Sequence, residues 1–267
     1  MPFTIYEFDG LVLPGFKEKG QADELGTGLG TSGLMPLPGG GFYDSYRADG
    51  LAPAAIDPVI KQCRLFASSS GALLTAIDAI RAKKRKRGVL KARWHDGTLR
   101  WVYARLLSVH HPAQLGNKLN ADITLEFEPE SDIWRGNTEA INAGPLTATG
   151  GGNQNTTHVN AGNVAVGDLV ITVTAGTSTI TNLVITNTTT GQAITFAATI
   201  ATSKSLVINV GARSVLNDGA NAYASATIGD VAEWMRLQPG SNTIRFTVTG
   251  NATTNAGYSV RFYNHYA

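Results

Sequence analysis

Cysteine is almost missing: Cys63 stands alone among 267 residues. A single thiol cannot close an internal disulfide or build a cysteine-rich zinc site, and it is compatible with assembly in a reducing cytoplasm. Charge is sparse as well, at 16% of residues, and it is unevenly placed. Before Asn142 lie 17 of the 22 Lys and Arg and 16 of the 20 Asp and Glu, so the front is charged and the rear nearly neutral. Two domains of different surface character are expected, 1–140 and 141–267. No stretch of about 18 apolar residues occurs, which argues against membrane insertion. The opening Met1 to Asp9 has no basic region followed by an apolar one, so no export signal is expected.

What is abundant is glycine, 30 residues, with threonine-rich alternating segments between turns. The expected fold class is mainly β. In front, Phe3 to Phe8 and Leu11 to Leu13 read as short strands around Asp9-Gly10. The segment Gly26 to Gly41 reads as a long surface loop, and Val59 to Phe66 as a strand with Val59, Cys63 and Leu65 on one face. Ser68, Ser69 and Ser70 offer N-caps to a helix over about 71–86, in which Leu73, Leu74, Ile77 and Ile80 recur at helical spacing and Gly88 is the stop.

That helix runs into Arg81-Ala82-Lys83-Lys84-Arg85-Lys86-Arg87. The run reads either as a patch for a partner or nucleic acid, or as a solvated helix end whose charges oppose the dipole. Beyond it, Asp96-Gly97 reads as a two-residue hairpin turn, pairing Trp94 with Leu99, Ala92 with Trp101 and Leu90 with Tyr103. This register places Lys91, Arg93 and Arg100 on one basic face. The strand Ala121 to Glu128 alternates Ile123, Leu125 and Phe127 inward with Asp122, Glu126 and Glu128 outward. The two charged faces would attract, either within one chain or between copies.

The rear begins with a polar stretch, Ala143 to Asn163, of linker composition. Short alternating segments follow: Leu169 to Thr174, Leu183 to Thr188, Ile194 to Ile200, Leu206 to Val210 and Arg213 to Leu216. Pro239-Gly240 suits the centre of a type II turn. Ile244, Phe246 and Val248, then Tyr258, Val260 and Phe262, read as a closing hairpin. The whole resembles a β-sandwich of jelly-roll or related type.

Catalytic constellations are missing from the pattern. The rear acids Asp168, Asp218, Asp230 and Glu233 lie in or beside expected turns, where capping is their usual role. His110-His111 would point to opposite faces of a strand, with no third ligand at a suitable spacing. Gly39-Gly40-Gly41 lacks the Lys-Ser/Thr of a phosphate loop. No enzyme activity, cofactor or metal is expected. Tyr223, Trp234, Tyr258, Tyr263 and Tyr266 could stack on sugars or pack in the core.

Taken together these segments resemble the distal tail proteins of long, flexible-tailed bacteriophages, a family also called Dit. The residues that carry the likeness are Phe8-Asp9-Gly10-Leu11-Val12-Leu13, the helix Leu73 to Arg81, the hairpin Asp96 to Trp101, the strand Ile123 to Phe127 closing at Trp134, and Trp234 to Phe246. The resemblance implies an N-terminal ring-forming, tail-tube-like β-barrel or sandwich domain with one helix, and a C-terminal galectin-like β-sandwich. It further implies a homohexameric ring at the distal end of the virion tail, assembled in the host cytoplasm. Its implied partners are the tail tube protein, the baseplate hub or tail-tip protein and the tape measure protein. Phage DNA would pass an axial channel without specific binding. Lys91, Arg93, Arg100, Asp122, Glu126 and Glu128 become the expected ring interface, and Arg81, Lys83, Lys84, Arg85, Lys86 and Arg87 a partner-facing run. The alternative is a carbohydrate-binding accessory protein that acts through the rear sandwich in host adsorption.

Overall fold

The computed structural model describes residues 4–14, 24–25, 34–36, 42–44, 58–111, 119–148, 152–229, 234–248 and 255–267. The chain divides into two compact units, Met1–Trp134 and Arg135–Ala267, each with its own apolar core. Both are built mainly of antiparallel strands.

In the first unit, β1 (Thr4–Phe8) and β2 (Leu11–Val12) form a hairpin. Asp9 and Gly10 take φ of 48° and 77°, the left-handed pair that a two-residue hairpin turn requires. β3 (Glu24–Leu25) pairs with β6 (Val59–Phe66), while β4 (Leu34–Pro36) and β5 (Phe42–Asp44) pair with each other. The expected loop Gly26 to Gly41 thus contains a strand at 34–36, and Gly39 to Gly41 lie outside the described residues. Then follow α1 (Ser70–Arg81), β7 (Arg87–Arg93), β8 (Leu99–His110) and β9 (Asn120–Pro129). The strand order is β2-β1-β7-β8-β9-β6-β3.

Alternation in β6 and β9 sends Val59, Cys63, Ile123, Leu125 and Phe127 into the core, where α1 adds Leu73, Ile77 and Ile80. Leu74 remains outside that stripe, 49% exposed. Phe8 meets Phe127 with ring centroids 5.2 Å apart, and Trp134 meets Trp94 at the same separation.

Two expectations about this unit are corrected. The helix stops at Arg81 instead of continuing to 86, because Ala82 to Lys86 close as turns and Arg85 takes a left-handed φ of 62°. Gly88 is not its stop but a residue of β7, and a Cβ there would come within 2.6 Å of the Asp9 Cβ. The β7–β8 register is also shifted by one. Ala92 opposes Arg100, Lys91 opposes Trp101 and Leu90 opposes Val102. The loop is one residue longer than expected: Gly97 N–H donates to Trp94 O, Trp94 N–H donates to Thr98 O, and Gly97 takes φ 83°. That is a type I turn closed by a left-handed glycine, the three-residue hairpin. A shift by one residue exchanges faces. Arg100 therefore turns to the buried side, 6% exposed, while Trp101 and Tyr103 join Lys91 on the half-exposed side.

The second unit adds β10 (Trp134–Leu146), β11 (Gly152–Asn160), β12 (Val170–Thr174), β13 (Leu183–Asn187), β14 (Ala193–Phe196), β15 (Ser205–Asn209), β16 (Ser214–Asn217), β17 (Ala220–Asn221), β18 (Ala226–Ile228), β19 (Gly240–Val248) and β20 (Ala256–Tyr266). Within this unit one sheet runs β17-β16-β15-β12-β20-β10 and the other β11-β19-β13-β14-β18. Ile171, Val173, Ile208, Val260 and Phe262 of the first share one core with Ile185, Phe196, Ile244 and Phe246 of the second.

Here too two expectations fail. The polar stretch Ala143 to Asn163 is no linker: β11 pairs with β19 over all nine of its residues. Its inward side chains, Thr156, His158 and Asn160, are polar and hydrogen-bonded, so apolar alternation never appears in the sequence. The last two strands do not form a hairpin, since β19 pairs with β11 and β13 while β20 pairs with β12. Periodicity assigned their buried faces correctly but carries no information about partners.

Candidate functional site

The cationic stretch after α1 separates into tied and untied charges. Lys83 Nζ lies 2.6 Å from the Asp9 carboxylate and also donates to Asp9 O at 3.0 Å. Arg87 Nε donates to Glu130 at 2.7 Å, and its guanidinium sits 3.7 Å from the Tyr103 ring centroid. The Glu130 hydrogen bond holds the Arg87 guanidinium more firmly protonated than usual. Arg81 contacts Asp78 and the His111 Nε2. Lys84, Arg85 and Lys86 are exposed and pair with no carboxylate among the described residues.

The charges expected at a ring interface are largely engaged within the chain. Lys91 pairs with Glu7 at 2.8 Å, and that hydrogen bond raises its pKa. Arg100 donates to Asp96 at 2.7 Å and to the Thr98 hydroxyl, with its guanidinium 4.8 Å from the Trp94 ring. Asp96 also accepts from the Thr98 hydroxyl and N–H, which lowers its pKa. Asp122 is held by Arg64 at 2.6 Å, Glu126 accepts from Ser108 at 2.9 Å, and Glu128 lies opposite Arg105. The acidic strand therefore neighbours β8 of its own chain, the within-chain alternative. Arg93 is the member of the set that is exposed.

No group of three His, Cys, Asp or Glu able to hold a metal occurs among the described residues. Asp218 pairs with Lys204 at 2.9 Å. Asp168 is not merely a turn residue: Arg135 Nε donates to it at 2.7 Å and His265 Nε2 lies 2.9 Å away. Burial pushes its pKa up, but the close approach of His265 and the Arg135 guanidinium outweigh that and bring it below the usual carboxylate value. Asp230 and Glu233 lie outside the described residues.

The aromatic set is spent mostly on packing. Trp234 is 4% exposed beneath Tyr223, whose ring stacks on it at 6.0 Å, and Tyr258 packs on Phe246 at 5.0 Å. The segment after Trp234 is clamped by amide side chains. Asn187 Nδ2 donates to Arg236 O at 2.6 Å, and Gln192 Oε1 accepts from Arg236 N–H at 2.8 Å. Asn242 accepts from Gln238 N–H and donates to Gln238 O, while Asn160 donates to Leu237 O. These amides satisfy the backbone of a chain segment whose one ladder contact is the Leu237–Val166 bridge.

Residues 161–262, which include most of this clamp, match the family model described as siphovirus-type tail component, C-terminal domain. In fold the chain is similar to the Dit protein of phage SPP1, over 98% of each chain, with a TM-score of 0.58 and 14% identity. That protein is described as a paradigm of the hub adsorption apparatus in phages infecting Gram-positive hosts. Weaker likenesses are to chains of the activated baseplate of phage P2. One, with calcium, has a TM-score of 0.42 and 9% identity over 98% of this chain and 90% of that one. The other, with strontium, has a TM-score of 0.40 and 9% identity over 98% and 91%. No curated protein matches the chain in sequence. Its matched domain opens at Ala161 and Gly162, where the chain passes so close to β20 that a Cβ on Gly162 would lie 1.8 Å from His265 O.

Proposed function

We propose that this chain is a distal tail protein of the virion, a structural hub that joins the phage tail tube to the baseplate or tail tip. The observation that carries the reading is the tail-component match at 161–262, set in a fold like that of SPP1 Dit along the whole chain. Its work is assembly and transmission of force, with no catalytic step. Six copies form a ring around an axial channel for DNA. The first unit is the tail-tube-like, ring-forming part, and the second is a galectin-like sandwich.

The pairings above revise which residues meet the next copy. Lys91, Arg100, Asp122 and Glu126 are engaged within their own chain, so among the expected residues the ring contact falls first to the exposed Arg93. A ring of identical subunits needs two different surfaces on each subunit, and Arg93 contributes to one of them. Sugar recognition is the weaker reading, because Trp234, the ring best suited to stack on a pyranose, is buried under Tyr223. Electron microscopy and light scattering of the purified full chain test the proposal. A closed ring with a central hole is expected, and a protein that stays single at high concentration contradicts it.

A further inference from the structure

Within Arg81 to Arg87, Arg81, Lys83 and Arg87 pair with carboxylates of the first unit, while Lys84, Arg85 and Lys86 are exposed in one tight turn. The backbone beneath these three is fixed. Lys84 N–H donates to Arg81 O at 2.9 Å, Arg85 N–H to Leu106 O at 2.8 Å and Lys86 N–H to Lys83 O at 3.1 Å. Lys84 also bridges Leu106 of β8. Arg85 holds a φ of 62°, a left-handed conformation normally given to glycine or asparagine, so a cation occupies a position where glycine would relax the chain.

We propose that the Lys84-Arg85-Lys86 turn docks a carboxylate-rich segment of an adjoining tail protein. This rests on the reading of the chain as an assembly component. Three cations on a preformed backbone lose little chain entropy on binding, and each can make charge-assisted hydrogen bonds to carboxylates. A duplex fits less well. A single convex turn reaches few phosphates, and non-specific affinity at physiological salt depends on neutralising many of them. The neighbouring rings are also engaged, Tyr103 with Arg87 and Trp101 edge-on to Tyr103 at 5.3 Å, so they offer bases no stacking platform.

The test uses the full chain with a short poly-glutamate peptide and a short DNA duplex as probes, titrated at physiological ionic strength. Wild type is expected to bind the peptide more tightly than the duplex. Lys84→Glu/Arg85→Glu/Lys86→Glu should lose at least about tenfold in peptide affinity, as expected for several exposed charge contacts. Arg85→Gly keeps the backbone and removes one cation, so it should weaken peptide binding with at most a small change in the thermal midpoint. Equal peptide affinity in wild type and triple variant, or tighter binding of the duplex, overturns the proposal. Light scattering on the same samples separates the two readings. A wild type that stays single contradicts the ring even if the peptide binds, and a ring that forms without peptide binding contradicts only the docking turn.

Discussion

Gly162 and His158 show how single residues constrain the second unit. At Gly162 any side chain would occupy the space of the His265 carbonyl, 1.8 Å from the added Cβ, and the obstacle is backbone that cannot rotate away. Gly162→Ala should therefore destabilise the unit by about 3 kcal/mol or more, at the upper end of overpacking costs. A chemical-denaturation midpoint within error of wild type would contradict this. Nothing in the sequence distinguishes Gly162 from the other 29 glycines, since the close approach depends on a residue about a hundred positions away.

His158 is 1% exposed, with its Nε2 2.8 Å from the Thr156 hydroxyl. That hydroxyl donates to Ile244 O, so Nε2 carries the proton and Nδ1 is left buried with no partner. Burial lowers the pKa from 6.5 to about 4. Between those values the unfolded chain takes up a proton that the folded one refuses, so stability falls as the pH drops from about 6.5 towards 4. The loss amounts to up to roughly 3 kcal/mol. Asp168 acts in the same direction at lower pH: its depressed pKa adds stability above the unfolded carboxylate value, which is lost as pH falls through the folded one. Urea midpoints at pH 7 and pH 4.5 should differ less in His158→Gln than in wild type, and an unchanged difference would count against this assignment.

Among the elements, α1 was the most legible. Its buried stripe Leu73, Ile77 and Ile80 follows helical period, and the Ser69 hydroxyl accepts from Ala72 N–H at 3.1 Å as an N-cap. Ser69→Ala should cost about 1 kcal/mol, read from the midpoint of thermal unfolding. The helix end was misjudged because Lys and Arg are good helix formers, whereas the stop is imposed by the Leu106 contacts of Lys84 and Arg85. Arg85→Gly, which relieves the left-handed strain but adds freedom to the unfolded chain, should change stability by less than about 1 kcal/mol. A larger loss would mean that the guanidinium packs where the structure shows it exposed. The β7–β8 hairpin teaches a related lesson. Asp96-Gly97 correctly signals the turn, but Asp96 binds Thr98 and Arg100, and the added loop residue moves Arg100 from a basic face to the buried side, where it pairs with the exposed Asp96.

For the whole molecule, the ring proposal yields a sharper variant than a double charge reversal would. Replacing Arg100 would strand Asp96 and disturb the hairpin, whereas Arg93 is exposed at the end of β7. Arg93→Glu is expected to keep the wild-type melting temperature and to shift the light-scattering mass towards smaller assemblies, with the effect deepening as salt is lowered. An unchanged mass at every salt concentration would remove Arg93 from the interface.

By itself the sequence determined the mainly β character, the helix, the uneven charge and the inward faces of most strands, because these follow from local periodicity and composition. The tertiary structure alone decided which strands are neighbours, that β19 and β20 lie in opposite sheets, and that the polar β11 is a full strand. It also decided which cations are spent within the chain. Each of these depends on residues distant in sequence, joined by backbone ladders and ion pairs whose register no local pattern encodes.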